Sequence, residues 1–251
     1  MHQLTRQTIN TDHPLIRLDP RVKLISTLVL LVMVISSRGF AFPLLVMTVS
    51  LALSLSLGVR PGLLLARFTE PLFIAIVVLL LKLFLSGGAQ LFSFHVFGVE
   101  IAGHRDGLLE GVFIASRIGG AVSLMTLLGF STAFTDLMAA LAWLRAPRGF
   151  IEVSLFAWRY LFILSADAQV VYAAQKNRLG YAGFLRGLRS FGTLAGALVI
   201  KAFDNSQTLT CAMVQRGYDG TMPLLRQRPL DSMEVTISLT FLICMGIIWR
   251  I

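Results

Sequence analysis

Long apolar stretches separated by short polar segments make up most of this chain. Five of them are nearly long enough to cross a bilayer: residues 22–37, 40–57, 69–85, 108–130 and 233–249. A membrane helix needs roughly 20 mostly apolar residues, so each stretch predicts a short membrane span. A weaker sixth candidate, residues 151–164, carries Glu152 and Arg159, and burial within protein is the alternative for it.

Local signals mark where some of these elements begin and end. Asp19 and Pro20 precede the first stretch and favour a helix start, because Asp caps free N–H groups and Pro suits the first helical position. The second stretch closes at residues 58–62, which contain two glycines and a proline. Residues 86–106 are the one segment in which we expect a hairpin, on the outer side of the membrane.

The distribution of Lys and Arg predicts how the spans are oriented. Basic residues occur before the first span, between the second and third, and most often in residues 131–230, which hold Arg145, Arg148, Arg159, Lys176, Arg178, Arg186, Arg189, Lys201, Arg216, Arg226 and Arg228. Four spans, this region and a last span put these basic segments on one side, which is expected to be the cytoplasm. The sequence therefore predicts three parts: residues 1–130 with a cytoplasmic leader and four spans, residues 131–230 in the cytoplasm, and residues 231–251 as a last span whose C-terminus faces out.

The predicted cytoplasmic region is basic yet rich in Leu, Phe and Ala, and its apolar positions recur at intervals of three and four. This period predicts helices. Pro147 and residues 180–192 are expected to divide the region into separate helices. One predicted apolar stripe comprises Phe191, Ala195, Leu198, Ala202, Leu209 and Met213.

Two predicted helix ends in this region are alike. Ala174 is followed four residues later by Arg178, and Ala212 by Arg216; Gly-Tyr-x-Gly comes after each arginine, with Leu179 as one extra residue in the first copy. Ala and Arg at this spacing share one helix face, and Gly beyond it favours a C-terminal stop. Each helix is therefore predicted to present one arginine on its last turn.

Two interpretations of these arginines are open. An arginine at a helix C-terminus complements the macrodipole, which is a purely structural role. The duplication favours binding instead, to a partner with twofold symmetry, because the guanidinium fork grips a carboxylate through two bonds.

Composition narrows the class of protein further. Only 14% of the residues are charged and the mean hydropathy is +0.78, which excludes a disordered chain and disfavours a water-soluble globule. The net charge of +9 is better explained by membrane orientation than by nucleic-acid binding, so no nucleic-acid partner is expected. Two cysteines supply neither a disulfide framework nor a thiolate metal site.

Signatures of catalysis are absent from the sequence. None of the four lysines follows a glycine, so there is no phosphate loop, and no nucleotide or other cofactor is expected. The spans contain no constellation of acids, nucleophiles or metal ligands. A non-catalytic protein is therefore predicted; an intramembrane enzyme and a stand-alone permease are the alternatives.

Arg117 lies in the middle of the fourth predicted span. A charge at that depth is costly, so the side chain should face the helix bundle or a partner and be paired. Glu110, two turns away on the same face, and Glu70 are the candidate counter-charges. Contact with a moving partner subunit is the functional alternative to this structural pairing.

Several short motifs, taken in order, resemble the transmembrane T component of energy-coupling-factor transporters. The resemblance covers nearly the whole chain. Its motifs are Leu18-Asp19-Pro20-Arg21-Val22-Lys23-Leu24, Arg159-Tyr160, Ala174-Gln175-Lys176, Ala212-Met213, and Arg216-Gly217-Tyr218-Asp219-Gly220-Thr221-Met222-Pro223. The last motif is most similar to the cobalt-type branch of the family, often called CbiQ.

This resemblance implies an all-α integral membrane protein with about five transmembrane helices plus cytoplasmic coupling helices, in a bacterial inner membrane. It implies that the chain joins two ATPase subunits to a membrane substrate-binding component, with cobalt as the expected substrate, and that it has no catalytic or metal-binding residues of its own. In the family, two coupling helices end in Ala-Arg-Gly or Ala-Arg-Ser, which docks into an ATPase groove. The matching triplets here are Asn177-Arg178-Leu179, which agrees only at Arg, and Gln215-Arg216-Gly217, which lacks the leading Ala.

Overall fold

The computed structural model describes residues 13–85, 90–96, 99–219 and 231–250. In chain order the elements are α1 (Pro14–Arg17), α2 (Pro20–Ser36), α3 (Ala41–Ser56), α4 (Pro61–Leu85), β1 (Gln90–Val96), β2 (Val99–His104), α5 (Arg105–Ser131), α6 (Phe134–Trp143), α7 (Arg148–Asn177), α8 (Phe184–Gln215) and α9 (Ser232–Arg250). The chain is an all-α membrane protein, and within the described residues one β-hairpin is inserted between its helices. The leader up to residue 12, the motif residues Gly220–Pro223 and the predicted boundary at residues 230–231 lie wholly or partly outside the described residues.

Local capping explains where the first long helix begins. The side chain of Asp19 accepts a hydrogen bond from the Arg21 N–H at 2.9 Å, and Pro20 occupies the first helical position. Helix α2 then runs to Ser36, so the predicted helix start and the first apolar stretch are confirmed.

The third predicted span belongs to a longer helix than expected. Helix α4 begins at Pro61, because proline is well suited to a first helical turn, and it continues through Pro71. Arg67, expected in a loop, therefore lies within α4, and its guanidinium carbon is 5.9 Å from the ring centroid of Phe130.

Four helices of the described residues are long and apolar enough to cross a membrane: Pro61–Phe84, Arg105–Ser131, Arg148–Asn177 and Ser232–Arg250. Helices α2 and α3 are shorter, at 17 and 16 residues. The weak candidate at residues 151–164 lies within α7, a helix of 30 residues with few buried positions. The described chain itself covers little of this helix, and burial against another protein stays a prediction.

The contacts divide the chain into two compact units, Met1–Ala140 with Arg228–Ile251, and Leu141–Gln227. In the first unit, α2, α3, α5 and α9 share a core of Leu30, Val34, Phe42, Val46, Leu124 and Met245. Glycine allows α5 to approach α3 closely, because a Cβ atom on Gly120 would lie 3.0 Å from the Pro43 carbonyl oxygen.

The hairpin predicted between residues 86 and 106 is confirmed. Strands β1 and β2 pair antiparallel, from Val96 opposite Val99 to Gln90 opposite His104. The side of the membrane on which it lies stays a prediction.

The second unit is built around two long antiparallel helices, α7 and α8. The break between them covers only residues 178–183, so the expectation of an interruption extending to residue 192 is wrong. Gly187 and Gly192 lie inside α8, where a continuous helix satisfies their backbone groups.

The predicted stripe on α8 needs the same kind of correction. Phe191 and Ala195 are exposed, whereas Leu198, Ala202, Leu209 and Met213 are partly buried, and Leu194 is the buried residue that continues their spacing. The face of α8 that is covered is therefore rotated slightly from the one the sequence predicts.

Candidate functional site

The two arginine-bearing helix ends have the same backbone conformation. Arg178 caps α7 with φ −91° and ψ 18°, and Arg216 caps α8 with φ −90° and ψ 9°. The next residue is left-handed in both, with φ 57° at Leu179 and φ 80° at Gly217. Both arginines are exposed, as are Asn177 and Gln215 before them.

The hydrogen bonds that close the two helices also correspond. At the first end, the Leu179 N–H donates to the Lys176 carbonyl at 3.0 Å and the Gly180 N–H donates to the Gln175 carbonyl at 2.9 Å. This pair of bonds defines a Schellman motif.

At the second end, the Gly217 N–H donates to the Val214 carbonyl and the Tyr218 N–H to the Met213 carbonyl, both at 3.0 Å. Leu179 thus occupies the position of Gly217. Its interpretation as an extra residue is wrong, although a leucine costs roughly 1–2 kcal/mol in this left-handed conformation.

The first end is held by one contact with α8 and by two contacts between the turn and α7. The Ser190 hydroxyl donates to the Gly180 carbonyl at 2.8 Å, and the Tyr181 hydroxyl donates to the Gln175 side-chain oxygen at 2.8 Å. The Tyr172 and Tyr181 rings lie 4.9 Å apart. These bonds hold Leu179 in its strained conformation and fix the turn that carries Arg178.

The second end is held by a contact with the start of α7. The Tyr218 hydroxyl donates a hydrogen bond to the Glu152 carboxylate. Partial burial of the phenol, followed by the negative charge of Glu152 and this hydrogen bond, raises the pKa of Tyr218. The turn after Arg216 is therefore fastened to the opposite helix of the hairpin.

The antiparallel hairpin places its two arginines at opposite ends. Tyr218, just after Arg216, contacts Glu152, and from Glu152 to Arg178 helix α7 extends for 26 residues, or about 40 Å at 1.5 Å per residue. An ion pair between Lys201 and Asp167, at 2.7 Å, joins the helices between these ends. The unit thus presents two equivalent cationic turns at a large and fixed separation.

Arg117 is not paired with either expected carboxylate in the described structure. It donates to the Ser37 carbonyl, its guanidinium carbon lies 4.1 Å from the ring centroid of Phe113, and its Nε is buried with no partner among the described residues. Glu110 instead forms an ion pair with Lys82 at 2.9 Å. The predicted pairing with Glu110 fails because Lys82 reaches that carboxylate from the neighbouring helix α4.

The sequence analysis missed a polar cluster around Lys23, which it noted only as part of a motif shared with the resembled family. The side chain of Lys23 is 7% exposed, and its Nζ donates to the carbonyls of Ile16 at 3.1 Å and Ser131 at 3.0 Å. The Asp19 N–H donates to the Glu234 carboxylate at 2.7 Å. A lysine one turn after a helix cap, within an apolar span, is the signal that points to such a cluster.

Comparison with known proteins places the chain in a family. The profile of a family described as cobalt transport protein, CbiQ, matches residues 12–226. The chain is 32% identical over 209 residues to an uncharacterised protein of Methanocaldococcus jannaschii, covering 83% of this chain and 78% of the relative.

Two relatives with descriptive names agree with the profile. The energy-coupling factor transporter transmembrane protein of Staphylococcus aureus is 28% identical over 244 residues, which cover 92% of this chain and 90% of that protein. The cobalt transport protein CbiQ of Rhodobacter capsulatus is 30% identical over 167 residues, which cover 66% of this chain and 68% of that protein. The chain therefore belongs to the CbiQ family of transmembrane T components of energy-coupling-factor transporters.

Proposed function

We propose that this chain is the coupling subunit of an ATP-driven importer, and that it transmits the motion of two ATPase subunits to a membrane substrate-binding subunit. The observation that carries the proposal is the pair of equivalent Arg-capped turns, at Arg178 and Arg216, on one helical hairpin. Two equivalent turns suit two copies of one partner, since each copy then meets the same backbone conformation and the same charge.

The contact residues follow from this geometry. In each turn the guanidinium meets an ATPase carboxylate, and its neighbours, Asn177 with Leu179 and Gln215 with Gly217, line the contact. Exposure of both arginines supports this role, because a docking group must be accessible before the partner arrives. The chain contributes no catalytic residue and binds no nucleotide; ATP hydrolysis takes place in its partners.

The hairpin of α7 and α8 lies on the cytoplasmic side, with the N-terminus, and the C-terminus faces outward. Of the two helices in this hairpin, α7 has the length and composition of a span. It packs along α8, however, and α8 carries exposed Arg186, Arg189 and Lys201. Such a charged partner helix is costly to place in hydrocarbon, so the pair is better accommodated at the membrane surface. The three predicted parts of the chain keep their assigned roles in this arrangement.

The substrate is cobalt, held by the membrane substrate-binding subunit and not by this chain. The name of the family and that of the Rhodobacter capsulatus relative support cobalt. The names of other relatives refer only to energy-coupling factor transport, so the substrate is the finer part of the proposal.

Co-expression with the ATPase and substrate-binding subunits tests both parts separately. We expect the tagged chain to capture two ATPase subunits in detergent. We expect the reconstituted complex to transport radioactive cobalt across the vesicle membrane only when ATP is supplied on the side that carries the ATPase subunits. A chain that never retains an ATPase contradicts the coupling role. Capture of ATPases with uptake of nickel or a vitamin, and none of cobalt, contradicts only the substrate assignment.

A further inference from the structure

Three helices of the first unit end at one level, halfway along α5. Helix α2 ends where Arg117 of α5 meets the Ser37 carbonyl, and α3 begins directly after this turn. Helix α9 runs parallel to α2, from the Glu234–Asp19 hydrogen bond to the approach of Gly246 to Met33 at 4.0 Å. One more turn brings Arg250 to the same level.

Helices α4 and α5 continue beyond this level. Gly111 packs against Leu79, and Lys82 pairs with Glu110. From Arg117 to the start of α5 there are 12 residues, which span about 18 Å. The corresponding part of α4 has exposed apolar side chains, among them Ile76, Leu80 and Leu81.

This difference in helix length forms a step on the surface of the first unit. Its long side, formed by α4 and α5, is apolar, and its short side, at the ends of α2 and α9, is basic. Arg38, in the turn after α2, and Arg250 are exposed, and Arg117 is half-buried and donates to the carbonyl of Ser37, the residue before Arg38. The structure pairs none of these three arginines, which we call the basic belt, with a carboxylate among the residues that it describes. Trp249 is 40% exposed at the same level, where interfacial tryptophans are typical of membrane proteins.

The helix lengths show how a bilayer meets this step. Helices α2, α3 and α9 have 17, 16 and 19 residues, so the shortest are about 25 Å long, less than the roughly 30 Å of hydrocarbon. Helix α4 has 25 residues and spans about 37 Å. A bilayer that covers both sides must be thinner beside α2, α3 and α9.

We propose that the basic belt is a phospholipid-binding site, in which Arg38, Arg117 and Arg250 hold the phosphate of an anionic lipid. Local thinning brings headgroups to the level of the belt, and the lipid chains lie against the apolar side chains of the short helices. The unpaired cations receive their counter-charge from the lipid, since the described protein supplies none. The site is separate from the two ATPase-coupling turns.

Fluorescence quenching of Trp249 tests this site in the full chain. Trp143 and Trp158 are replaced by Phe, and the protein is reconstituted with phospholipids brominated near the headgroup or near the chain end. We expect stronger quenching by the shallow bromines. We also expect brominated phosphatidylglycerol to be preferred over brominated phosphatidylcholine by about fivefold, the factor of a single basic side chain near an anionic surface.

A double variant and a matched control decide the assignment. Arg38→Gln with Arg250→Gln should remove the preference for phosphatidylglycerol, whereas Arg186→Gln with Arg189→Gln removes the same charge from α8 and should retain it. The proposal is overturned by stronger quenching from deep bromines, by equal binding of the two lipids, or by equal effects of the two double variants. Loss of the preference in added inorganic phosphate, but not in chloride of equal ionic strength, would mean a site for soluble anions and would also overturn it.

Discussion

Replacing the two coupling arginines separates the two roles open to them. If each guanidinium is gripped by an ATPase carboxylate, Arg178→Ala or Arg216→Ala removes one partner of a buried charge pair. That loss costs about 2–5 kcal/mol, so ATPase affinity at that turn should fall by roughly 30-fold or more. If the arginines only complement their helix dipoles, the cost is about 0.3–1 kcal/mol in the stability of the chain, with no effect on the ATPases.

The separation of the turns predicts how the single and double variants differ. The turns lie about 40 Å apart on one hairpin, so under the proposed function we expect each to contact its own ATPase subunit and the two contacts to act as a bivalent grip. A single variant should retain one ATPase firmly and lose much of the uptake. The double Ala variant should lose about 4 kcal/mol or more, equivalent to roughly a thousandfold, and should release both ATPases.

Substitution by lysine sharpens the test. Arg178→Lys with Arg216→Lys keeps both charges at the helix ends but removes the two-bond fork. A capping role therefore predicts wild-type behaviour for the double Lys variant, and a fork grip predicts weaker ATPase capture. The double change of Arg186 and Arg189 to Ala is the matched control, since both are exposed arginines within α8 that neither cap a helix nor belong to either Schellman turn.

The assays are ATPase co-purification at increasing salt and ATP-dependent uptake in vesicles, with far-ultraviolet circular dichroism as a check on the helices. Normal capture and uptake by the double Ala variant would refute the coupling assignment. Equal loss in the control variant would refute it too, because the effect would then follow net charge and not position.

Three further predictions concern stability and ionisation. Lys23→Met should destabilise the first unit by about 1–3 kcal/mol in detergent denaturation, because two buried carbonyl groups lose their donor. Gly120→Ala should destabilise by about 1–3 kcal/mol through a clash with the backbone of α3, whereas Gly129→Ala, with open space around it, should be neutral or stabilising by up to about 1 kcal/mol. In an absorbance titration, Tyr218 should ionise above the usual tyrosine pKa of about 10, and Glu152→Gln should lower the pKa of Tyr218. The contribution of the Tyr218–Glu152 contact to folding stability is complete below about pH 10 and is lost as the pH rises through the folded-state pKa of Tyr218.

Features that depend on a few neighbouring residues were predictable from the sequence. Asp19 and Pro20 fixed the start of α2, and the hairpin between α4 and α5 was expected because no other segment had its pattern. The bounds of α4 and α8 were less predictable. Glycine and arginine at the ends of apolar runs indicate a boundary, but Arg67 and Gly192 both lie within continuous helices.

The candidate site was predictable only as far as the chain repeats itself. The two Ala-x-x-x-Arg segments correctly predicted two alike helix ends, but a left-handed Leu179 is too rare for sequence reasoning to place it opposite Gly217. The partners of Arg117 and Lys23 come from other parts of the chain, at Ser37 just after α2 and at Ser131 in α5. Spacing along one helix identifies possible partners on that helix, but it contains no information about partners elsewhere in the chain.

The hairpin of α7 and α8 can transmit force only if its helix ends stay folded, and helix ends are where structure is usually weakest. In this hairpin, each arginine-bearing turn is fastened to the beginning of the opposite helix. Ser190 of α8 holds the turn after Arg178, and Glu152 of α7 holds the turn after Arg216. Force applied to either arginine is therefore passed to the other helix as well as along its own. The Lys201–Asp167 ion pair adds a third link between them. The two helices must then move together, which is the mechanical property that coupling two ATPases to one membrane partner requires.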